Sequence, residues 1–213
     1  MSDVSVLLRD AASAEQFAKG YLAYLATLLP RVDTAAIARV IEVLDRARRE
    51  QHTVFIAGNG GSAATASHMA TDLGALARLT EDERPLRVLA LTDNTALMTA
   101  TANDHGYAEV FVTPLRMWYR PGDVFLGISA SGNSPNVLAA ARWVKARAGR
   151  VLGLVGFDGG ALKELCDVVI HIPTPRGEYG PVEDLHLMVN HLITAWLQHR
   201  LCVAHDLLRV RGA

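Results

Sequence analysis

The chain has 213 residues, half of them apolar and a fifth charged, with a net charge of −1. That is enough for one substantial core in a single domain, residues 1–213, and the composition excludes wholesale disorder. No Lys/Arg block is present to hold nucleic acid or an anionic membrane, and no apolar run approaches the roughly 18 residues that a membrane span requires. Cys166 and Cys202 form neither a framework nor a CxxC pair, which fits a reducing compartment. The opening MSDVSVLLRDAAS puts acid ahead of any apolar run and lacks a signal-peptide layout, so the expectation is a cytoplasmic protein.

In chain order, residues 11–50 have helical periodicity. Phe17, Tyr21, Leu22, Tyr24, Leu25 and Leu28 stripe a first helix that stops near Pro30. Asp33-Thr34 can cap a second, in which Ile37, Val40, Ile41, Val43, Leu44 and Ala47 recur at helical spacing. Two amphipathic helices ahead of the first strand have no sheet partner of their own, which points them at another subunit. From Thr53 the rhythm becomes strand, loop, helix. Strands are expected at Thr53–Ala57, Arg87–Leu91, Val124–Ile128, Val151–Val155 and Val168–Ile172, each short and continuously apolar, as strands covered on both faces are. Helices fit at Ala63–Leu76, Thr95–Thr101, Pro135–Ala148 and Leu162–Leu165, with a last one from Pro181 to about Leu201. This alternation predicts an α/β fold with a parallel sheet, and ligands at the carboxyl ends of its strands near the topological switch point.

Two strand-to-helix turns carry the chemistry. The first is Gly58-Asn59-Gly60-Gly61-Ser62, whose glycines let backbone N–H groups at a helix start approach an anion. One turn further on, His68 and Asp72 are four apart and share a helix face. The second turn, Ser129-Ala130-Ser131-Gly132-Asn133-Ser134, brings three hydroxyls to another helix start. Serines and helix N–H groups bind phosphate without Lys or Arg. Together the turns point to a sugar-phosphate or nucleotide site. Taken singly, each has a plain reading as a tight turn with solvated neighbours. The GxGxxG and GxxxxGK[ST] patterns are both absent.

GNGGSAATASHMATDL, ALTDNTALMTATANDHGY, GDVFLGISASGNSPNVLAAA and VEDLHLMVNHL together resemble the SIS (sugar isomerase) domain, and within it the phosphoheptose isomerase branch. The resemblance spans about Ala11 to Leu201. It implies a flavodoxin-like three-layer sandwich with a five-stranded parallel sheet, preceded by two N-terminal helices, with the α/β core at 53–201. It also implies a homotetramer with active sites at subunit contacts, to which residues 1–50 would contribute, and conversion of sedoheptulose 7-phosphate to its aldose isomer. By position, Ser62, Ser129, Ser131 and Ser134 would hold the phosphate, with Ala130 standing where many relatives have threonine. Asn59, Gly60, Asp93, Asn94, Asn103, Asp104 and Glu183 would line the sugar. His68, Asp72, Glu183 and His191 would bind one Zn2+, and Asp72 and His191 would be base and acid.

The family normally has glutamate at position 72 and glutamine at 183, and the segment Arg176–Pro181 lacks the Asp-Arg pair of typical relatives. Asp is one methylene shorter, and a displacement of about 1 Å can cost on the order of 100-fold when a base must reach a proton. Glu183 adds negative charge, which strengthens cation binding and lowers Lewis acidity. Glu183 and His191 are eight apart, about 12 Å along a straight helix. Both reach one ion only if Glu183 lies in a frayed first turn or the two serve different subunits. His186 is a possible substitute ligand, whereas His52, His105, His171, His199 and His205 read as having no role in the site. Trp118, Trp143 and Trp196 read as core or interface anchors. Two other functions remain open: a related isomerase acting on another phosphosugar, and a non-catalytic SIS binding protein like the relative that associates with the bacterial replication initiator. Retention of His68, Asp72 and His191 favours an enzyme.

Overall fold

A computed structural model describes residues 3–79 and 85–211, with side chains described to residue 203, so His205 lies outside that set. Helices α1 (Asp3–Asp10), α2 (Ala14–Leu28) and α3 (Thr34–Glu50) precede the first strand. Then follow β1 (Thr53–Ala57), α4 (Gly61–Ala75), β2 (Arg87–Ala90), α5 (Thr95–His105) and α6 (Val112–Trp118). The second half comprises β3 (Val124–Ser129), α7 (Pro135–Lys145), β4 (Arg150–Gly156), α8 (Gly160–Leu165), β5 (Val168–Ile172) and α9 (Tyr179–Arg211). Strands β1 and β5 have the bounds expected from the sequence, and the others differ by a residue or two at their ends. The expected signals act where the sequence put them. Asp33 accepts from the N–H groups of Ala35 and Ala36 at the start of α3, and Pro135 opens α7.

The five strands lie in the order β2-β1-β3-β4-β5, and every neighbouring pair is parallel. The chain leaves β1 toward one edge and returns to pair β3 on its other side, so the switch point falls between β1 and β3. Side chains alternate across the sheet. Val54, Ile56, Val124, Leu126, Leu152 and Leu154 pack with residues of α3, α4 and α9. Phe55, Ala57, Phe125, Val151 and Val155 pack under α6, α7 and α8 on the other face. All six residues of β3 are buried, which explains its unbroken apolar run.

The early helices depart from expectation. α3 buries Ile37, Val40, Ile41, Leu44 and Ala47 in the same cluster as the sheet residues, so its apolar stripe has a sheet partner in its own chain and the core begins before residue 53. α2 buries only Leu28. It is tied to the start of α9 by hydrogen bonds from Tyr21 to Asp184 (2.7 Å) and from Tyr24 to Glu178 (2.5 Å). The sequence reading missed α1 and α6. In α6, Pro114 falls in the first turn, where its missing N–H costs no helical hydrogen bond. Trp143 packs edge-on against Tyr119, whereas Trp118 and Trp196 are exposed and are not core residues. Among the described residues, no helix is long and apolar enough to cross a membrane.

Candidate active site

The β1–α4 turn and the β3–α7 turn leave adjacent parallel strands on either side of the switch point, at their carboxyl ends. Gly60 is the N-cap of α4 at φ 55°, a left-handed value that favours glycine, and its carbonyl accepts from the N–H groups of Ala63 and Ala64. The first-turn N–H groups that follow, those of Gly61 and Ser62, have no acceptor within the helix and carry its positive end. Ser62 is buried beneath them. Glu183 reaches the same place from α9: a Cβ on Gly61 would lie 2.1 Å from Glu183 Oε2. Burial, with a smaller contribution from Asp184, raises the Glu183 carboxyl above its ordinary pKa.

In the second turn Ser129 and Ser134 bring their hydroxyls to 3.1 Å of each other, and Ser131 Oγ accepts from the Asn133 N–H at 3.2 Å. Gly132 has φ +63°, and a Cβ there would lie 1.9 Å from the Gly159 carbonyl oxygen. The two turns are locked together by amides. Asn59 donates to Asn136 Oδ1 (2.9 Å), Asn136 donates back to Asn59 Oδ1 (2.8 Å), and Tyr107 also donates to that oxygen (2.9 Å). Asn136 and Tyr107 were not found from the sequence, because residues 77 and 48 positions away from Asn59 share no spacing signal with it.

The remaining expected sugar-lining residues are spread over α5 and the loop before it. Asp93 accepts from Ser67 of α4 and from Thr92. Asn94 is occupied as the N-cap of α5, where its Oδ1 accepts from Leu97 N at 3.0 Å. Asn103 and Asp104 lie in the last turn of α5, exposed and bonded to each other at 2.8 Å.

Below the cradle α4 runs against α9, and three candidate ligands converge there. His68 Nε2 lies 3.3 Å from Asp72 Oδ2 and 3.4 Å from His191 Nε2, and His191 Nε2 lies 4.0 Å from Asp72 Oδ2. Donors at the corners of a tetrahedron of 2.0–2.1 Å bonds stand about 3.3 Å apart. Two of the three edges therefore already fit a small divalent cation, and the trio is a possible metal site. Asp72 is half-buried, and both histidines are exposed. Glu183 does not belong to this trio. α9 is continuous from Tyr179, which puts Glu183 in its second turn rather than in frayed backbone.

Residues 20–156 match the SIS domain family. The phosphoheptose isomerase of Rhodospirillum rubrum is 37% identical over 167 residues, covering 78% of this chain and 87% of that protein. That of Nitratiruptor sp. is 39% identical over 150 residues, 69% of this chain and 76% of that one. The solved structure of phosphoheptose isomerase from Neisseria gonorrhoeae superposes with a TM-score of 0.80 at 27% identity, covering 88% of this chain and all (100%) of that one.

The chain belongs to the phosphoheptose isomerase family. In this member of the family Asp72 has a buried partner that the sequence did not reveal: Asn190 donates to its Oδ2 at 2.8 Å. His186, a possible substitute ligand from the sequence, is instead fully buried on the face of α9 that meets β4. Its Nε2–H donates to the Val155 carbonyl (3.2 Å), and its Nδ1 has no hydrogen-bond partner among the described residues. Burial, with a contribution from His171, lowers its pKa to about 4 against the weaker opposing effect of that hydrogen bond. It is a neutral packing residue.

Proposed function

We propose that this chain interconverts sedoheptulose 7-phosphate and D-glycero-D-manno-heptose 7-phosphate. The observation that carries the reading is a serine-lined anion cradle at the start of α4 and the neighbouring β3–α7 turn, together with a His/Asp/His trio further along α4 and on α9. Ser62, Ser129, Ser131 and Ser134 hold the phosphate with the first-turn N–H groups of α4. Asn59, Asp93, Asn94, Asn103 and Asp104 line the sugar chain. Asp72 takes the proton from C1 of the ketose while His191 supplies one to the C2 oxygen, giving an enediol. His191 then removes the proton from the C1 oxygen as Asp72 returns one to C2, giving the aldose. Asp72 Oδ2 faces the two histidines and Asn190, so proton transfer falls to Oδ1, which makes none of those contacts.

His68, Asp72 and His191 would hold a zinc ion, with Glu183 as the fourth ligand drawn from a neighbouring subunit. Zinc there supplies a Lewis acid that stabilises negative charge on the substrate oxygens. The assembly is a homotetramer in the cytoplasm. It is supported by the apolar groove between α3 and α9, about 940 Å³ in volume and edged by Trp196, Leu192 and Val203, all of them exposed in one chain. The test is by NMR. Metal-stripped and zinc-reloaded protein are each mixed with sedoheptulose 7-phosphate, and aldose signals are expected only after reloading. Heat stabilisation by the sugar without turnover would favour a binding protein, and neither effect would remove the phosphate cradle from the account.

A further inference from the structure

Asn190 is fully buried on the side of α9 that meets α4, beside His191. Its Nδ2 donates to Asp72 Oδ2 at 2.8 Å, and its Oδ1 faces Thr194 Oγ1 at 3.5 Å, one turn further along the helix. The threonine hydroxyl can donate to Oδ1, and this sets which end of the amide is left to donate. The carboxylate oxygen it addresses is also the one that meets His68 Nε2 at 3.3 Å and His191 Nε2 at 4.0 Å. The terminal torsion of an aspartate is broad and does not choose between its two oxygens. A donor fixed in the core does choose. Asn190 also shares a helix with His191, so the element that carries one ligand aims another.

We infer that Asn190 is a positioning residue: it holds Asp72 with Oδ2 in the donor triangle of His68 and His191 and keeps Oδ1 clear for proton transfer. This rests on the reading of the trio as a metal and proton-transfer site. Outer-shell groups of this kind typically change metal affinity or activity by 10- to 100-fold when removed.

The test is a double-mutant cycle on the full chain, with zinc affinity read by competition with a chromophoric chelator and kinetics read with sedoheptulose 7-phosphate. Asn190→Leu should weaken zinc binding by about 10- to 100-fold and lower kcat comparably, with KM within about twofold because the serine cradle is untouched. Asp72→Ala should lose more, and adding Asn190→Leu to it should change zinc affinity no further, since the amide acts only through that carboxylate. Asn190→Ala enters the same cycle if the leucine variant does not fold. Unchanged zinc affinity in the single variant, or losses that add in the double, overturns the inference. Wild-type protein that binds zinc without converting the sugar overturns the proposed reaction, while the cycle still decides the role of Asn190. Wild-type protein that binds no zinc overturns both.

Discussion

The candidate phosphate cradle and the His68–Asp72–His191 trio share helix α4, which carries Ser62, His68 and Asp72, but they are built in different ways. Each half of the cradle is one contiguous turn at the end of a buried strand, and strand pairing sets the two side by side, with the Asn59–Asn136 amides tying them together. The trio draws on residues 123 positions apart, on two helices whose relative sliding no backbone ladder fixes. A cradle of N–H groups and hydroxyls tolerates the loss of one member. A proton-transfer site does not tolerate an error of about 1 Å. On the proposed reading, the cradle would set affinity by redundancy, whereas the trio would set rate by alignment.

That contrast can be broken from either side. Asp72→Asn is the largest expected effect: turnover should fall by about 10³-fold while heat stabilisation by the sugar phosphate persists, and unchanged turnover would remove Asp72 as the base. Gly132→Ala attacks the cradle through its backbone. The left-handed φ and the 1.9 Å approach to the Gly159 carbonyl should cost about 3 kcal/mol, read as a lower urea midpoint. Loss well under 1 kcal/mol would mean that the turn has room to shift.

The pH dependence of stability tests how α9 is seated. His186 has a folded-state pKa of about 4 against about 6.5 unfolded, so below pH 6.5 the unfolded chain takes up a proton that the folded chain refuses. Stability is complete well above pH 6.5 and falls as pH drops toward 4, by about 2 kcal/mol between pH 7.5 and 5. His186→Gln, which keeps a donor for the Val155 carbonyl, should flatten that slope in denaturant titrations at pH 5 and 7.5, and an unchanged slope would place the titration elsewhere. The smallest effect is expected for Ser129→Ala, where loss of one hydroxyl among several should raise KM by about tenfold and leave kcat within twofold. A collapse of kcat in that variant would contradict the division of labour.

What the sequence made legible follows the same division. β1 and β5, the cap at Asp33, the start of α7 at Pro135 and both polar turns depend on neighbours in sequence, and all were readable there. The sheet order puts those two turns on adjacent strands, as expected for a ligand site at a switch point. His68 and Asp72 were visible as a four-residue pair, and the family resemblance added His191. The Asn59–Asn136 amide pair, Tyr107 and Asn190 were not visible, because each acts through a partner tens of residues away and an isolated Asn or Tyr carries no periodic signal. The stripe of α3 precedes the first strand and so suggests no sheet partner of its own, yet α3 closes the sheet of its own chain against β1 and β5. Glu183 illustrates the reverse case: the resemblance implied a ligand, and within one chain its carboxylate lies over Gly61 at the cradle.

The most direct measurement of the central claim is isomerisation of sedoheptulose 7-phosphate by the zinc-loaded protein in D2O, with deuterium at C2 of the aldose read by NMR over many turnovers. Proton transfer through Asp72 exposes the carried proton to exchange, so deuterium should accumulate at C2 with the wild type and be absent with Asp72→Asn. Full retention of protium at C2 over many turnovers of the wild type would contradict a solvent-exchanging proton carried by Asp72.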